Sequence, residues 1–152
     1  MSKIWIYQAN RILNGNEVTL LENDLSTFVS NWSAHGSALS AKGYIIYNLF
    51  LIFEVDEEVV NVTGCSVDKS VHFVKELGER YHIDFFDRMC VAYVDDHEEL
   101  QLANRSEFEA LVKNGEVTSE TKVFNNLITS SEELGNKWKV AFKDSWHAKI
   151  FS

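Results

Sequence analysis

The sequence YIIYNLFLIFEV, residues 44–55, is the most apolar stretch of this chain. Aromatic and β-branched side chains dominate it, and such residues favour strands over loops. We predict two strands that turn near Tyr47 and Asn48, with one long bulged strand as the alternative. Asn48 and Glu54 interrupt the stretch, which is shorter than the roughly 20 apolar residues that span a bilayer. It is therefore not predicted to cross a membrane.

Helical patterns lie on both sides of this hairpin. From Val18 to Trp32 the apolar residues step by three and four while polar residues fill the other face. This period predicts an amphipathic helix. The same pattern predicts a second helix after Gly64 that reaches Tyr81.

Strands of β-branched and aromatic residues are predicted at residues 3–7 and 89–94. The order is then strand, helix, strand, strand, helix, strand. It matches the split βαβ, or ferredoxin-like, arrangement, in which two helices cover one face of an antiparallel sheet. We therefore predict an α+β protein with a βαββαβ core over residues 1–95 and a C-terminal helical extension over residues 96–152.

The extension is expected to pack on this core, because a chain of 152 residues fits one domain of ordinary size. A strand is predicted from Leu100 to Ala103, followed by a short helix that Ser106 caps. Helical turns are predicted over residues 131–138 and 144–150.

Composition excludes several classes of partner. The formal net charge is −9, and no run of Lys or Arg exceeds two residues. Nucleic-acid binding needs a basic face that displaces counterions from phosphates, so neither nucleic acid nor an acidic membrane surface is expected as a partner. The N-terminus does not have the pattern of a signal peptide, and two cysteines, Cys65 and Cys90, suit free thiols in a reducing cytoplasm. We expect a cytoplasmic protein.

The segment NVTGCSVDKSVHF, residues 61–73, comes nearest to a chemical motif. A Walker A loop aligned on Lys69 would need glycine where Thr63 and Asp68 stand, so nucleotide binding by this loop is disfavoured. Ser66 and Lys69 have the spacing of a serine acyl enzyme, but none of the companion motifs of those enzymes is present.

Two interpretations of this segment remain open. In the first, Gly64 permits a tight turn, Ser66 caps the helix, Asp68 complements the helix dipole and Cys65 is a small apolar filler. In the second, Cys65 is a nucleophile, since a helix N-terminus favours the thiolate form of a cysteine. Lys69, one turn further along, would support that thiolate.

A thiol-dependent enzyme would also need a general base. His35 precedes a glycine after the first helix, and His147 lies near the C-terminus; either could serve. Asp144, Ser145 and His147 contain the residue types of a hydrolytic triad, but such triads form across a fold and not within four consecutive residues.

Binding sites were weighed in the same way. Aromatic side chains can line a pocket, and the ligand-binding candidates are Trp32, Ser66 and Trp146. The segment HIDFFDR, residues 82–88, contains metal-ligating residue types, but its polar residues fit a helix-to-strand connection. The acidic run over residues 95–99 reads as a solvated turn. Neither a metal nor a cofactor is predicted.

The chain resembles a family of short bacterial proteins that are often labelled ABC transporter ATPases. The segments that carry the resemblance are NWSAHG (31–36), GCSVDKSVHFVKELG (64–78), DFFDRM (84–89), VFNNL (123–127) and KDSWH (143–147). The family supplies no established catalytic residues. The Walker A loop and the Leu-Ser-Gly-Gly-Gln signature of ABC-type ATPases are not in the sequence, so whether the protein is an enzyme stays open.

The sequence thus favours a binding or regulatory module for a small molecule or a protein, because no motif sets a nucleophile, a base and an orienting group in a recognisable frame. The alternative is a thiol-dependent enzyme that uses Cys65. An exposed edge strand of the predicted sheet could also pair two copies into a homodimer.

Overall fold

The computed structural model describes residues 2–34, 36–58 and 61–151. The chain divides into two compact units. The first contains the residues up to Phe86 together with Thr129–Ser131, and the second contains Asp87–Ile128 and Glu132–Ser152. Each unit has its own sheet, and the prediction that the chain forms one domain stays a prediction.

The first unit is an antiparallel sheet with two long helices. Its elements in chain order are β1 (Ser2–Gln8), α1 (Gly15–Ser30), β2 (Ser33–Ala34), β3 (Ser37–Ala38), β4 (Ser40–Ile46), β5 (Phe50–Asp56) and α2 (Gly64–Tyr81). The three long strands lie in the order β1-β5-β4, and β2 and β3 form a separate two-stranded ribbon.

The hairpin predicted from the opening stretch is confirmed. Ile46 pairs with Phe50, and the residues between them form the turn. Tyr47 and Asn48 have φ angles of 57° and 53°. Tight hairpin turns require this left-handed backbone, because it matches the twist of the flanking strands.

The core of the first unit is built around β5, the central strand. Its residues from Phe50 to Phe53 are at most 1% exposed, so both faces of the strand are buried. From α1, Leu25 packs closely on the sheet at Gly43, where an added Cβ would lie 3.1 Å from the Cβ of Leu25. The lack of a side chain at Gly43 therefore allows α1 to approach the sheet.

Both long helices begin with a capping box. The side chain of the cap residue accepts a hydrogen bond from the backbone amide of the third helical residue, and the side chain of that residue accepts one from the backbone amide of the cap. In α1 the pair is Asn14 and Glu17. In α2 it is Thr63 and Ser66. The prediction that Ser66 is the cap is therefore wrong: Thr63 is the cap, and Ser66 is its partner inside the first turn.

The second unit combines a four-stranded sheet with short helices, so the prediction that residues 96–152 form a helical extension is wrong. Its elements are β6 (Val91–Val94), β7 (Leu100–Ala103), α3 (Arg105–Lys113), β8 (Lys122–Phe124), β9 (Lys139–Ala141) and α4 (His147–Phe151), with 3₁₀ helices at Ser131–Gly135 and Phe142–Asp144. The strand order is β7-β6-β8-β9. The core surrounds Phe108, which is fully buried. Asn104 caps α3, in place of the predicted Ser106.

The α+β class is confirmed, but the ferredoxin-like arrangement is not. A strand does form within residues 89–94, yet β6 pairs with β7 and β8 and does not join the first sheet. The outer edge of β1 is occupied by another segment, since the Ile4 amide donates to the Thr129 carbonyl at 3.0 Å and Lys3 bridges to Ser130. The hydrogen bonds that a fourth strand would need on this part of β1 are thus already made.

None of the helices in the described ranges is both long and apolar enough to pass through a membrane.

Candidate functional site

Aromatic and charged side chains line a groove between α1 and α2, called here the α1–α2 groove. Asp24 in α1 contacts Arg80 and Tyr81 at the end of α2. Trp32, just after α1, contacts Ser66 at the start of α2. The two helices therefore run in opposite directions, and the groove follows their line of contact.

Two half-buried phenylalanines form the floor of this groove. The rings of Phe28 and Phe73 are stacked, with centroids 4.3 Å apart and planes 11° from parallel. Behind them lie Phe53, at 5.6 Å from Phe28, and Trp32, at 5.3 Å from Phe28. This aromatic cluster holds the stacked pair in place while leaving part of it at the surface.

The groove has two halves that share Phe28, Phe73 and Lys69. The outer half has a volume of about 410 Å³, and its other lining residues are Asp68, His72 and Glu76. The inner half has a volume of about 400 Å³ and is the less open of the two. Its other lining residues include Asp24, Trp32 and Arg80.

A hydrogen-bonded cluster closes the inner half near the end of α2. Asp24 Oδ2 accepts from the Tyr81 hydroxyl at 2.5 Å and from Arg80 Nη1 at 3.2 Å. The bond to Asp24 raises the pKa of Tyr81, because the carboxylate stabilises the protonated phenol. Tyr81 and Asp24 together raise the pKa of Arg80. The carboxylate of Asp24 thus already has two donors.

Lys69 lines both halves of the groove, and its ammonium group has no ion-pair partner among the described residues. Its side chain is exposed and makes no ion pair or hydrogen bond with the part of the chain that the structure describes. In the outer half, by contrast, His72 Nε2 lies 3.1 Å from Glu76 Oε1. A ligand can therefore contact the ammonium group of Lys69 without displacing a partner among the described residues.

The structure places Cys65 in the first turn of α2 as an exposed free thiol. Lys69 follows it by four residues, a spacing that puts both side chains on one face of the helix. Cys65 does not line either half of the groove. His35, one of the two predicted bases, lies outside the described residues.

Ser66 and Trp32, two of the predicted ligand-binding residues, are joined by a buried hydrogen bond. Trp32 Nε1 donates to the Ser66 carbonyl at 2.9 Å, and both residues are at most 2% exposed. The Ser66 hydroxyl lies 2.6 Å from the Thr63 hydroxyl and accepts from the Thr63 amide. Ser66 thus serves the start of α2, whereas Trp32 reaches the inner half of the groove.

His147 and Trp146 belong to the second unit. Their rings stack with centroids 3.8 Å apart, and His147 also packs near Phe108. His147 is 3% exposed, and its Nδ1 is buried with no hydrogen-bond partner among the described residues. Burial lowers the pKa of His147 to about 4, because the charged form cannot be solvated there. His147 is therefore neutral at pH 7, and Trp146 keeps 36% of its surface exposed.

Sequence reasoning missed most of the groove. Phe28 belongs to the apolar residues that predict the helix from Val18 to Trp32, and nothing in their spacing distinguishes a phenylalanine in a groove from one in the core. Arg80 and Asp24 are far apart in sequence, so their pairing could not be read from it. No group of three or more His, Cys, Asp and Glu residues in the described ranges could hold a metal ion.

No known protein family, curated protein or solved structure matches this chain. The resemblance to the short bacterial family therefore stays a prediction.

Proposed function

We propose that this α+β protein is a small-molecule-binding module and that the apolar part of its ligand packs on Phe28 and Phe73 in the α1–α2 groove. The observation that carries the proposal is the stacked aromatic pair beside two open depressions of about 400 Å³ each. Helix packing alone would explain the stacking. It does not require the adjoining space, which falls in the range of roughly 300–1,000 Å³ for small-molecule sites.

The size of the groove sets the expected affinity of a simple probe. A phenyl ring that covers about 100 Å² of apolar surface gains about 2.5 kcal/mol at 25 cal/mol/Å². Polar contacts add to this gain, and the loss of translational freedom reduces it. If the polar contacts offset the loss of translational freedom, a fragment with one ring binds with a dissociation constant on the order of 10 mM, which corresponds to about 2.7 kcal/mol.

Trp32 offers a direct readout, because its indole lines the inner half of the groove. The chain has four tryptophans, whose indole N–H signals separate in a two-dimensional NMR spectrum of ¹⁵N-labelled protein. Titration with phenylacetamide, a neutral aromatic probe, should shift the Trp32 signal along a saturable curve. The signals of Trp138 and Trp146, which belong to the second unit, should stay in place. If the Trp32 signal does not move at tens of millimolar, the proposal is wrong.

A matched pair of variants locates the binding. Thr27 and Thr19 are both exposed on α1, and each hydroxyl donates to a carbonyl four residues earlier. Thr27 lines the groove, but Thr19 does not. Thr27→Phe should fill the inner half and weaken phenylacetamide binding at least fivefold, whereas Thr19→Phe should bind like the wild type. Equal binding by the two variants would place the probe elsewhere.

The second candidate function is a thiol-dependent enzyme with Cys65 as nucleophile. It is favoured by the exposure of the thiol and by Lys69 on the same helix face. In a Cys90→Ser background, iodoacetamide should then label Cys65 rapidly at pH 6–7, and Lys69→Ala should slow the reaction. Slow labelling up to pH 8, with no effect of Lys69→Ala, would contradict the thiol-dependent enzyme and leave the binding module as the proposed function.

The remaining expectations from the sequence are kept as proposals. A homodimer formed through an edge strand would sediment at twice the mass of the chain, and a monomer at micromolar concentration would contradict it.

Membership of the short bacterial family implies no residue roles. Because the Walker A glycines are replaced, Mg-ATP should not raise the melting temperature; a rise of several degrees would show nucleotide binding.

A further inference from the structure

We infer that the α1–α2 groove takes a small aromatic carboxylate, with its ring on Phe28 and Phe73 and its anionic group in the inner half beside Lys69. The inference rests on the proposed function and adds the chemical class of the ligand. It is drawn from the distribution of charge around the aromatic floor.

The inner half carries a surplus of positive charge. Among its lining residues Lys69 and Arg80 are cations, and Asp24 is a carboxylate. Asp24 Oδ2 already accepts from Arg80 and from the Tyr81 hydroxyl, and with two cations against one carboxylate the lining keeps one net positive charge. The ammonium group of Lys69 is left without a counterion among the described residues and can donate to a ligand carboxylate.

Arg80 supplies further donors at the same wall. Only its Nη1 is bonded to Asp24, at 3.2 Å. A guanidinium group has five N–H donors in a fixed plane, so donors remain for a second acceptor. The two cations line one half of one groove, which also contains the stacked rings.

The outer half of the groove has a surplus of negative charge. Its lining contains Asp68 and Glu76, against Lys69 and a histidine that pairs with Glu76. An anionic group placed there would face two carboxylates. This difference orients the ligand, since its charged end gains more in the inner half than in the outer one.

The acidity of the whole chain does not cancel this preference. The net charge of −9 is spread over the whole sequence. At 0.15 M salt, exposed charges separated by more than about 8 Å are largely screened. Lys69 and Arg80, which contact the ligand directly, therefore decide the sign of the preferred charge.

Three probes of nearly equal size separate charge from shape: phenylacetate, phenylacetamide and phenethylamine. Their dissociation constants are measured from the Trp32 indole signal at 0.05 M and 0.5 M salt. Phenylacetate should bind about fivefold more tightly than phenylacetamide at low salt, because a screened ion pair has a modest effect. The advantage should shrink at high salt, and phenethylamine should bind most weakly.

Lys69→Ala tests the assigned cation, with Lys75→Ala as the matched control on the same helix. Both variants change the net charge equally, but Lys75 does not line the groove. Lys69→Ala should bring the dissociation constant of phenylacetate to that of phenylacetamide, while Lys75→Ala should leave their ratio unchanged.

The two failures are distinguishable. If phenylacetamide does not bind the wild type, the proposed function fails. If phenylacetamide binds, but phenylacetate binds no better or phenethylamine binds best, the proposed function stands and the assignment of an anionic ligand is overturned. Equal loss of the preference in Lys69→Ala and Lys75→Ala would also overturn it, because long-range charge would then account for the effect.

Discussion

The buried histidine of the second unit makes the stability of that unit depend on pH. His147 is 3% exposed, and burial lowers its pKa from the ordinary value of 6.5 to about 4. The unfolded chain therefore binds a proton more readily than the folded one at every pH between these values. Stability from the neutral imidazole is complete above pH 6.5 and is lost as the pH falls towards 4.

The size of this effect follows from the two pKa values. Between pH 7 and pH 5 the second unit should lose about 2 kcal/mol, and the full loss below pH 4 should be about 3 kcal/mol. His147 is almost completely buried, so solvent does not reduce this figure as it would for a surface group. The charged ring carries N–H groups on both nitrogens, and the described residues give the buried Nδ1 no acceptor.

The assay is urea unfolding at pH 7 and pH 5, followed by the indole signal of Trp138. This residue is buried in the second unit, where its Nε1 donates to Asn126 at 2.9 Å. Wild type should lose about 2 kcal/mol more on acidification than His147→Gln, which has no titrating ring. His97→Gln, which alters an exposed histidine of the same unit, should behave like wild type. An equal loss in wild type and His147→Gln would refute the reasoning.

Two further predictions concern the ends of α2. Gly78→Ala should destabilise the first unit by about 2 kcal/mol, because its Cβ would lie 2.5 Å from the Ile83 carbonyl oxygen. Gly15→Ala, with no atom within 4 Å, should be neutral or slightly stabilising. Both are measured by urea unfolding followed by the indole signal of Trp32, which belongs to the first unit. Thr63→Ala should cost about 1 kcal/mol by removing the cap from α2, and thermal unfolding that leaves the melting temperature unchanged would contradict the assignment of Thr63 as the cap.

Local features of the fold could be predicted because their causes are local. The hairpin follows from two apolar runs on either side of Asn48, a residue that tolerates a left-handed backbone. Tyr47 adopts the same conformation although its bulky side chain disfavours it. The two long helices follow from the period of their apolar residues. The cap of α2 was predicted at Ser66, but Thr63 is the cap, because the helix begins at Gly64, earlier than that prediction requires.

The candidate site could be predicted only in part. Lys69 and Trp32 were candidates, and both line the α1–α2 groove. They were chosen for other reasons, however: Lys69 as support for a thiolate and Trp32 as one of several aromatic residues. The cavity next to Phe28 and Phe73 depends on how closely two helices pack, which the spacing of apolar residues does not encode.

The sequence by itself determined the two long helices, the hairpin of β4 and β5, the α+β class and the acidic charge, since these depend on neighbours along the chain. It did not predict the short strands β8 and β9, which are held by pairing within the second sheet. Tertiary structure decided which sheet β6 joins, because residues 129–130 occupy the edge of β1 that a fourth strand would need. It also decided the charge of the inner half of the groove: Arg80 meets Asp24 across 56 positions of sequence, and Lys69 is left without a partner in the described chain. Pairings between distant segments are fixed by packing and by the hydrogen bonds left to satisfy, which no local pattern records.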